Sequence, residues 1–370
     1  MPFSLLQYNI LSLVLLLPVV LNLFAGNNAR ISALFGGLFV VFQSLILGQI
    51  LSKNRTLSTQ FVFGLLSFLT LLLLSSTAVY VIWDLSAPAQ SLVFLLQPLF
   101  VSLLLRFKDA PKQTRLEINE FGWRHLQFKR GAWILFVSYG LTLLTGFILL
   151  FVAATSESIT SPWQVVSPAF WPLLALATIL IILISWTTDS RSSSPYFIST
   201  YLLFLFSAAL IVYKVGYGFD SFIHQTTEQL ISSNGFVLPK TPYYLGQYSL
   251  VVSLSRLLGA SVLMIDRLLV PLLAALSLPF LSAEILQQNG AAQPGLRRGA
   301  WLAVAFVMMP FASFVVTTPQ ALANLYFLWI VLCSFPLLLN STVPWNLPML
   351  WLLALSAMAI HPLSGIPAII

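Results

Sequence analysis

Residues 61–83 read FVFGLLSFLTLLLLSSTAVYVIW and contain no charged side chain. A helix rises about 1.5 Å per residue, so a run of this length crosses the roughly 30 Å hydrocarbon core of a bilayer. Comparable runs recur at 5–24, 31–50, 61–83, 88–105, 132–154, 169–187, 196–213, 263–286, 301–316, 321–339 and 345–361. They are continuous and rich in leucine, which favours helices over the short alternating strands of a β-barrel. The sequence predicts an all-α, polytopic helical membrane protein with about eleven transmembrane helices.

Composition and charge distribution agree with a membrane protein. Of 370 residues, 59% are hydrophobic and 7% are charged, whereas soluble domains carry roughly 25% charged residues. The net charge of +7 does not indicate a nucleic-acid partner, because twelve of the 17 Lys and Arg residues fall in loops on one side of the predicted spans. Cytoplasmic loops carry such an excess. We therefore expect a multi-pass protein of a prokaryotic plasma membrane, with a cytoplasmic N-terminus and membrane lipid as a partner. The sequence does not predict an oligomeric state.

Two regions follow from the spacing of the spans. Residues 1–190 hold six predicted spans, and residues 191–370 form a second membrane module. The module ends in the apolar run 365–370, so we expect it to be truncated at its C-terminus. The main inner loop, 106–130, mixes both signs of charge with aromatic residues. This pattern is typical of an interfacial amphipathic segment, with a partner site as the alternative.

The long loop 215–260 lies on the outer side in this topology, and its charges are the best indication of function. Asp220, His224 and Glu228 are spaced four residues apart. On a helix that Asp220 caps and Gly235 stops, the three share one face. The pattern predicts an amphipathic surface helix with this acid–His–acid face toward water. A second helix is expected near 243–258, with Lys240 and Arg256 bringing positive charge to the same surface.

The spacing alone leaves two interpretations open. In the functional one, the loop binds an anionic, lipid-linked substrate, and Asp220 acts as a general base or holds a divalent metal. In the structural one, Asp220 only caps its helix, His224 is a hydrogen-bonded interfacial residue, and Glu228 is solvated.

Residues 220–235, DSFIHQTTEQLISSNG, resemble the first external loop of the GT-C-fold integral membrane glycosyltransferases, and most of all that of the oligosaccharyltransferase catalytic subunit. Tyr243-Tyr244, the segment 257–259 and the start of the next span at 265–267 are similar to this class as well. So are the outer turns at 317–323 and 361–365. The resemblance covers about half the chain, from near 195 to 370.

The resemblance implies a polyprenyl-phosphate-linked sugar donor, transfer at the outer membrane face, and a GT-C-like fold. It places the catalytic or metal-binding carboxylate on Asp220, with His224 and Glu228 orienting it or the acceptor. The implied substrate-binding residues are Lys240, Tyr243, Tyr244, Arg256, Arg267 and His361. The sequence departs from the family because the turn at 317–324 contains no acid and no Trp-Trp-Asp acceptor motif is present. A metal-independent transferase fits these departures better, although a divalent metal at Asp220 stays possible.

Two other functions remain as alternatives. A transporter or flippase for lipid or lipid-linked sugar needs polar groups deep in several spans, and the predicted charges lie at span ends. A non-catalytic membrane subunit with the same architecture would also fit a single acid in the loop. Asp266 and Arg267 read as a snorkelling interfacial pair, and His361 reads either as structural or as part of the same cavity.

Overall fold

The computed structural model describes residues 2–3, 5–26, 28–52, 55–107, 114–115, 132–187, 194–240, 242–288, 298–309, 312–338 and 347–369. Most of the predicted inner loop 106–130 lies outside these residues. The described part is helical, except for connecting turns and a two-residue antiparallel pair that joins β1 (Pro2–Phe3) to β2 (Thr114–Arg115).

Fourteen α-helices follow one another in the described residues. They are α1 (Leu5–Phe24), α2 (Ala29–Ser52), α3 (Leu57–Ile82), α4 (Ala87–Phe107), α5 (Ala132–Val152), α6 (Phe170–Thr187), α7 (Ser194–Val212), α8 (Phe219–Asn234), α9 (Leu245–Leu258), α10 (Val262–Gln288), α11 (Arg298–Met308), α12 (Pro319–Leu338), α13 (Leu347–Ile360) and α14 (Pro362–Gly365). Short 3₁₀ turns cover Pro162–Gln164, Ala312–Phe314 and Ile366–Ala368.

Eight of the described helices, α1 to α7 and α10, are long and apolar enough to cross a membrane. The prediction of an all-α, multi-pass membrane protein is therefore confirmed. The apolar helices α12 and α13 follow the predicted spans closely. The predicted span 301–316 corresponds to α11, which ends at Met308. Pro310 follows in the sequence, and proline has no N–H with which to continue a helix.

The helices pack closely where small residues meet a neighbouring backbone. A Cβ atom added at Gly64 on α3 would lie 1.6 Å from the carbonyl oxygen of Ser44 on α2. A Cβ at Gly36 on α2 would lie 1.8 Å from the carbonyl oxygen of Leu257 on α9. Membrane helices use small residues in this way to bring backbones together, because lipid supplies little hydrophobic drive for helix association.

Helix α9 is the second helix expected in the long loop, but it does not lie on the surface. It is buried along nearly its whole length and contacts α2, α3, α8, α10 and α13. Its sequence is more apolar than that of α8, which explains why it enters the packed core while α8 stays at the edge.

Several chain turns gather at one end of the bundle, which we call the α8 end. The amide of Leu85 donates to the carbonyl of Gly235 at 2.8 Å. Thr155 pairs with Tyr213, and the Val270 amide donates to the Thr317 hydroxyl at 3.1 Å. The ends of α3, α5, α7 and α8 and the starts of α10 and α12 therefore lie at this end. An ion pair between Arg55 and Glu284 lies at the start of α3 and near the end of α10, at the opposite end.

Candidate functional site

Helix α8 begins after two glycines that adopt positive φ. Gly216 has φ 132° and Gly218 has φ 86°, and Gly218 is the N-cap residue. Asp220 was expected to be the cap, but it lies inside the first helical turn and is exposed. The predicted stop is confirmed, since Gly235 is left-handed at φ 83° and its amide donates to the Ile231 carbonyl at 2.8 Å. An acid in the first turn is favoured by the positive end of the helix dipole.

The acid–His–acid face of α8 does not point uniformly toward water. Asp220 is exposed and His224 is half-buried, but Glu228 is fully buried. The expectation that all three face solvent is wrong for Glu228. The exposed side of the helix instead carries apolar residues, including Ile223 and Leu230. The polar face turns inward because α9 and α10 offer it hydrogen-bonding side chains.

Glu228 belongs to a buried polar cluster that joins α8, α9 and α10. The Nε2 atom of Gln247 donates to Glu228 Oε1 at 3.0 Å and to Asp266 Oδ1 at 3.3 Å. The Nε2 atom of Gln225 donates to Asp266 Oδ2 at 2.8 Å. Burial raises the pKa of the Glu228 carboxyl well above 4.5, and the neighbouring charge of Asp266 raises it further. Both effects favour the protonated form of Glu228, which can donate to Asp266.

His224 lies one turn before Glu228, in an aromatic cluster. Its Nδ1 atom is 2.8 Å from the Tyr248 hydroxyl, and its ring meets Tyr244 edge-on, with the centroids 5.2 Å apart. Tyr244 stacks on His361 at 5.4 Å. Burial lowers the pKa of His224 below 6.5; the charge of Asp220 opposes this shift, and His361 adds to it. His224 is therefore neutral at pH 7.

Burial also raises the pKa of the Tyr248 hydroxyl, which keeps its proton. That hydroxyl can donate to Nδ1 of His224 in the tautomer that carries the imidazole proton on Nε2. The contact holds the His224 ring in one orientation, while Asp220 stands exposed one turn before it.

Tyr244 has an unusual backbone conformation. It is the described non-glycine residue with positive φ, at 66°, and it forms the N-cap of α9. A bulky residue in the left-handed region costs of order 1–3 kcal/mol and persists only where its surroundings hold it. Contacts with His224, Tyr248 and His361 supply that support. Tyr243, beside it, is 54% exposed.

His361 has a structural contact as well as its place in the cluster. It is the N-cap of α14, and its Nδ1 accepts from the Ser364 amide at 3.3 Å. Both sequence-based interpretations of His361 are therefore compatible with its surroundings.

Two of the three basic residues assigned to substrate instead bind helix ends. The Lys240 ammonium donates to the carbonyl of Tyr80 at 2.7 Å and to that of Trp83, at the C-terminus of α3. Arg256 donates to the carbonyl of Ser232 at 2.6 Å, in the last turn of α8. Cations at helix C-termini stabilise the unpaired carbonyls there. These contacts account for both charges without a phosphate.

Arg267 differs from the snorkelling pair that its sequence position suggested. Asp266 is buried and turns its carboxyl to the two glutamines, and Arg267 donates through Nη2 to the carbonyl of Val215. Its Nε atom is buried and unpaired. Both residues line a cavity of about 20 Å³ at the junction of α7, α8 and α10. The hydroxyls of Ser221 and Tyr213 line it too, and neither has a hydrogen-bond partner.

Sequence reasoning missed Gln247 and Asp266 as partners of Glu228, and Gln225 as a partner of Asp266. These residues lie on three helices, and no local spacing connects the partners. Tyr248 was missed as well, although it lies four residues from Tyr244 on the same helix.

The residues present do not make up the ligand set of a metal. In the described part of the chain, no three His, Cys, Asp or Glu side chains gather in one place. The carboxyl pair faces amide N–H donors rather than further oxygen ligands. We therefore derive no step through a metal.

Comparison with known proteins does not assign this chain. No family model, no curated protein and no solved structure matches it.

Proposed function

We propose that the protein is a GT-C-type membrane glycosyltransferase that moves a sugar from a polyprenyl-phosphate-linked donor onto an acceptor at the outer membrane face. The observation that carries this proposal is an exposed carboxylate, Asp220, one turn before an imidazole of fixed orientation, His224. Both lie in the loop between α7 and α10 that resembles the first external loop of those enzymes.

The chemistry needs a group that accepts a proton from the attacking acceptor. Asp220 fits this role because it is exposed, whereas Glu228 is buried and its raised pKa favours the protonated form. The acceptor O–H or N–H loses its proton to Asp220 as its heteroatom bonds to the anomeric carbon. The bond from that carbon to the phosphate oxygen breaks, and the electron pair leaves with the polyprenyl phosphate. General-base catalysis contributes roughly 100-fold or more.

His224 orients the acceptor or the donor in this scheme. Its neutral ring can offer Nε2–H as a hydrogen-bond donor without adding a charge next to Asp220. Tyr243, Tyr244 and His361 present aromatic surface to the same place, and sugars bind such surfaces through their apolar faces. Arg267 remains the candidate for the donor phosphate: like Lys240 and Arg256 it donates to a carbonyl, but its Nε atom has no partner.

The proposal includes a topology. Eleven spans, counting α11, α12 and α13, place the N-terminus in the cytoplasm and the α8 end outside, as the distribution of Lys and Arg favours. The module 191–370 would then hold the chemistry, and the region 1–190 would support α9 through α2 and α3. The membrane would be a prokaryotic plasma membrane.

One observation favours the transporter alternative. The Glu228–Asp266 pair is buried, and buried acids in membrane proteins often mark ion or proton pathways. Asp266 lies in the first turns of α10, however, near the end of the bundle and not at its middle.

A reconstitution experiment separates these functions. The purified protein in lipid vesicles is given polyprenyl-phosphate sugars and an acceptor panel, and released polyprenyl phosphate is measured beside lipid translocation. A rate of sugar transfer or donor hydrolysis above that of protein-free vesicles supports the glycosyltransferase. Lipid translocation without donor cleavage would support the transporter. The absence of both activities would support the non-catalytic subunit.

A further inference from the structure

If both carboxyls of the Glu228–Asp266 pair were ionised, their surroundings would not balance the two negative charges. The ionisable groups that interact with Glu228 are Asp266 of α10 and Tyr248 of α9. Arg267 interacts with Asp266, and Arg256 is the cation of α9. Tyr248 is uncharged, and Arg256 donates to a carbonyl one turn further along α8. On α8 itself, His224 is neutral. Arg267 attracts the Asp266 carboxylate, so one cation faces two buried acids.

The hydrogen bonds of the Glu228–Asp266 pair indicate whether a proton or a metal ion supplies the positive charge that two ionised acids would need. Gln247 and Gln225 present N–H groups to the carboxyl oxygens, and an N–H donor cannot ligate a cation. Glu228 Oε2 is buried without a partner among the neighbouring donors. A proton on this oxygen satisfies it, because the acid can then donate to Asp266. The arrangement suits a proton better than a metal ion.

The cavity beside Asp266 offers a route for that proton. Its volume of about 20 Å³ is sufficient for one water molecule. Asp266 and Gln225 line its inner side, and Ser221, a buried side chain whose hydroxyl has no partner, also lines it. Tyr217 lines it as well and is 41% exposed, so the cavity reaches the surface. Unpartnered polar groups around a water-sized space indicate an ordered water.

We propose that Glu228 and Asp266 form a buried proton-binding site that fastens α8 to α10 and exchanges its proton with water through the cavity at the α8 end. On loading, a proton from bulk solvent passes to the water in the cavity, and this hydronium gives the proton to Asp266 and is left as neutral water. Asp266 passes it to Glu228 through their hydrogen bond, and the pair changes from two negative charges to one. On release the proton leaves by the same route. Without it, two like charges face each other in the packed core and repel.

The site has a consequence for α8. This helix also carries Asp220 and His224, so loss of the proton would loosen the element that positions both. This regulatory consequence rests on the proposed function, but the proton site itself does not.

Infrared spectroscopy of the full chain in lipid vesicles tests the site directly. A protonated carboxyl gives a carbonyl stretch separate from that of a carboxylate. We expect this band in the wild type at pH 7, its loss at higher pH, and its absence in Glu228→Gln. Glu157→Gln, which changes an exposed acid, is the control and should keep the band. A wild type without the band at pH 7, or a band that survives Glu228→Gln, would overturn the proposal. Neither result depends on sugar transfer.

The pH dependence of stability gives a second, independent test. The folded pKa of Glu228 lies above its ordinary 4.5, so its contribution is full below about pH 4.5 and is lost as pH rises through the folded pKa. The glutamine of Glu228→Gln keeps a donor and never ionises. We expect the melting temperature of the wild type to fall with rising pH relative to that of the variant. Equal slopes would contradict the site. If the variant does not fold, the wild-type infrared titration still decides.

The side from which the proton enters is also measurable. In vesicles with one protein orientation, a pH jump on the side of the α8 end should change the band promptly. A jump confined to the other side should not. A prompt response only to the opposite side would contradict the proposed route.

Discussion

Single side chains at the α8 end divide into groups that support the fold and groups that can react. In the sequence, Lys240 and Arg256 resemble Arg267, since each is a basic residue in or just beyond the loop 215–260. Their contacts differ: the first two hold carbonyls of α3 and α8, and Arg267 keeps an unpaired Nε beside the cavity. Burial and partners, not charge, separate structural from functional residues here.

Lys240→Met tests this division. The substitution removes two charge-assisted hydrogen bonds and a cation–π contact with Tyr80, so we expect the free energy of unfolding to fall by about 1.5 kcal/mol. Lys214→Met, at an exposed lysine before α8, should change it little. Thermal unfolding in detergent measures both. Unchanged stability together with a raised KM for the donor would instead assign Lys240 to the phosphate.

The residue scale also shows what local sequence could and could not predict. Gly235 ends α8 as predicted, and the long apolar runs mark the spans, because these signals are local. The start of α8 was predicted less well, since Gly218 and not Asp220 is the N-cap. The partner of Glu228 could not be predicted: Asp266 is on another helix, and only the packing of α9 between them brings Gln247 to both. The contact of Lys240 with the Tyr80 carbonyl spans 160 residues. Contacts of this range depend on the assembled bundle.

Among the helices, α9 positions most of the residues that contact His224 and Glu228. Tyr244 caps this helix, Gln247 and Tyr248 lie on it, and it packs against α2 and α3. The sequence predicted its existence but placed it on the surface, because a 14-residue helix is too short to read as a span. Its burial follows from small residues on its neighbours, such as Gly36, which no pattern in 215–260 reveals.

Gly36→Ala tests the contact between α2 and α9. The new Cβ would meet the Leu257 carbonyl oxygen at 1.8 Å, so we expect a loss of about 1–3 kcal/mol from overpacking. Gly37→Ala is the matched control, because no heavy atom lies within 4 Å of its Cβ position. The melting temperatures of the two variants test this contact, and that of Gly36→Ala should be the lower. Equal effects would show that α9 does not pack on α2 as described.

For the whole molecule, the proposed function depends on which side of the membrane the α8 end faces. The gathering of chain turns there agrees with alternate crossing of the helices, and the distribution of Lys and Arg predicts that this end is outside. The proposed donor, acceptor and proton route all lie on that side.

Cysteine labelling tests the orientation. The native Cys333 is buried, so it is replaced by alanine and single cysteines are placed at Ser233, exposed on α8, and at Gln113 in the basic loop. An impermeant reagent added outside intact cells should label the first and spare the second until the membrane is opened. Labelling of Gln113→Cys alone would reverse the topology.

The rate of sugar transfer by Asp220→Asn shows whether Asp220 takes the acceptor proton. Gly218, not Asp220, caps α8, so Asp220→Asn should keep the wild-type melting temperature. Its rate of sugar transfer from a polyprenyl-phosphate donor should nevertheless fall by roughly 100-fold or more, the loss expected for a general base. Glu157→Gln, at another exposed acid, should keep the wild-type rate. A folded Asp220→Asn protein with an undiminished rate would contradict the account.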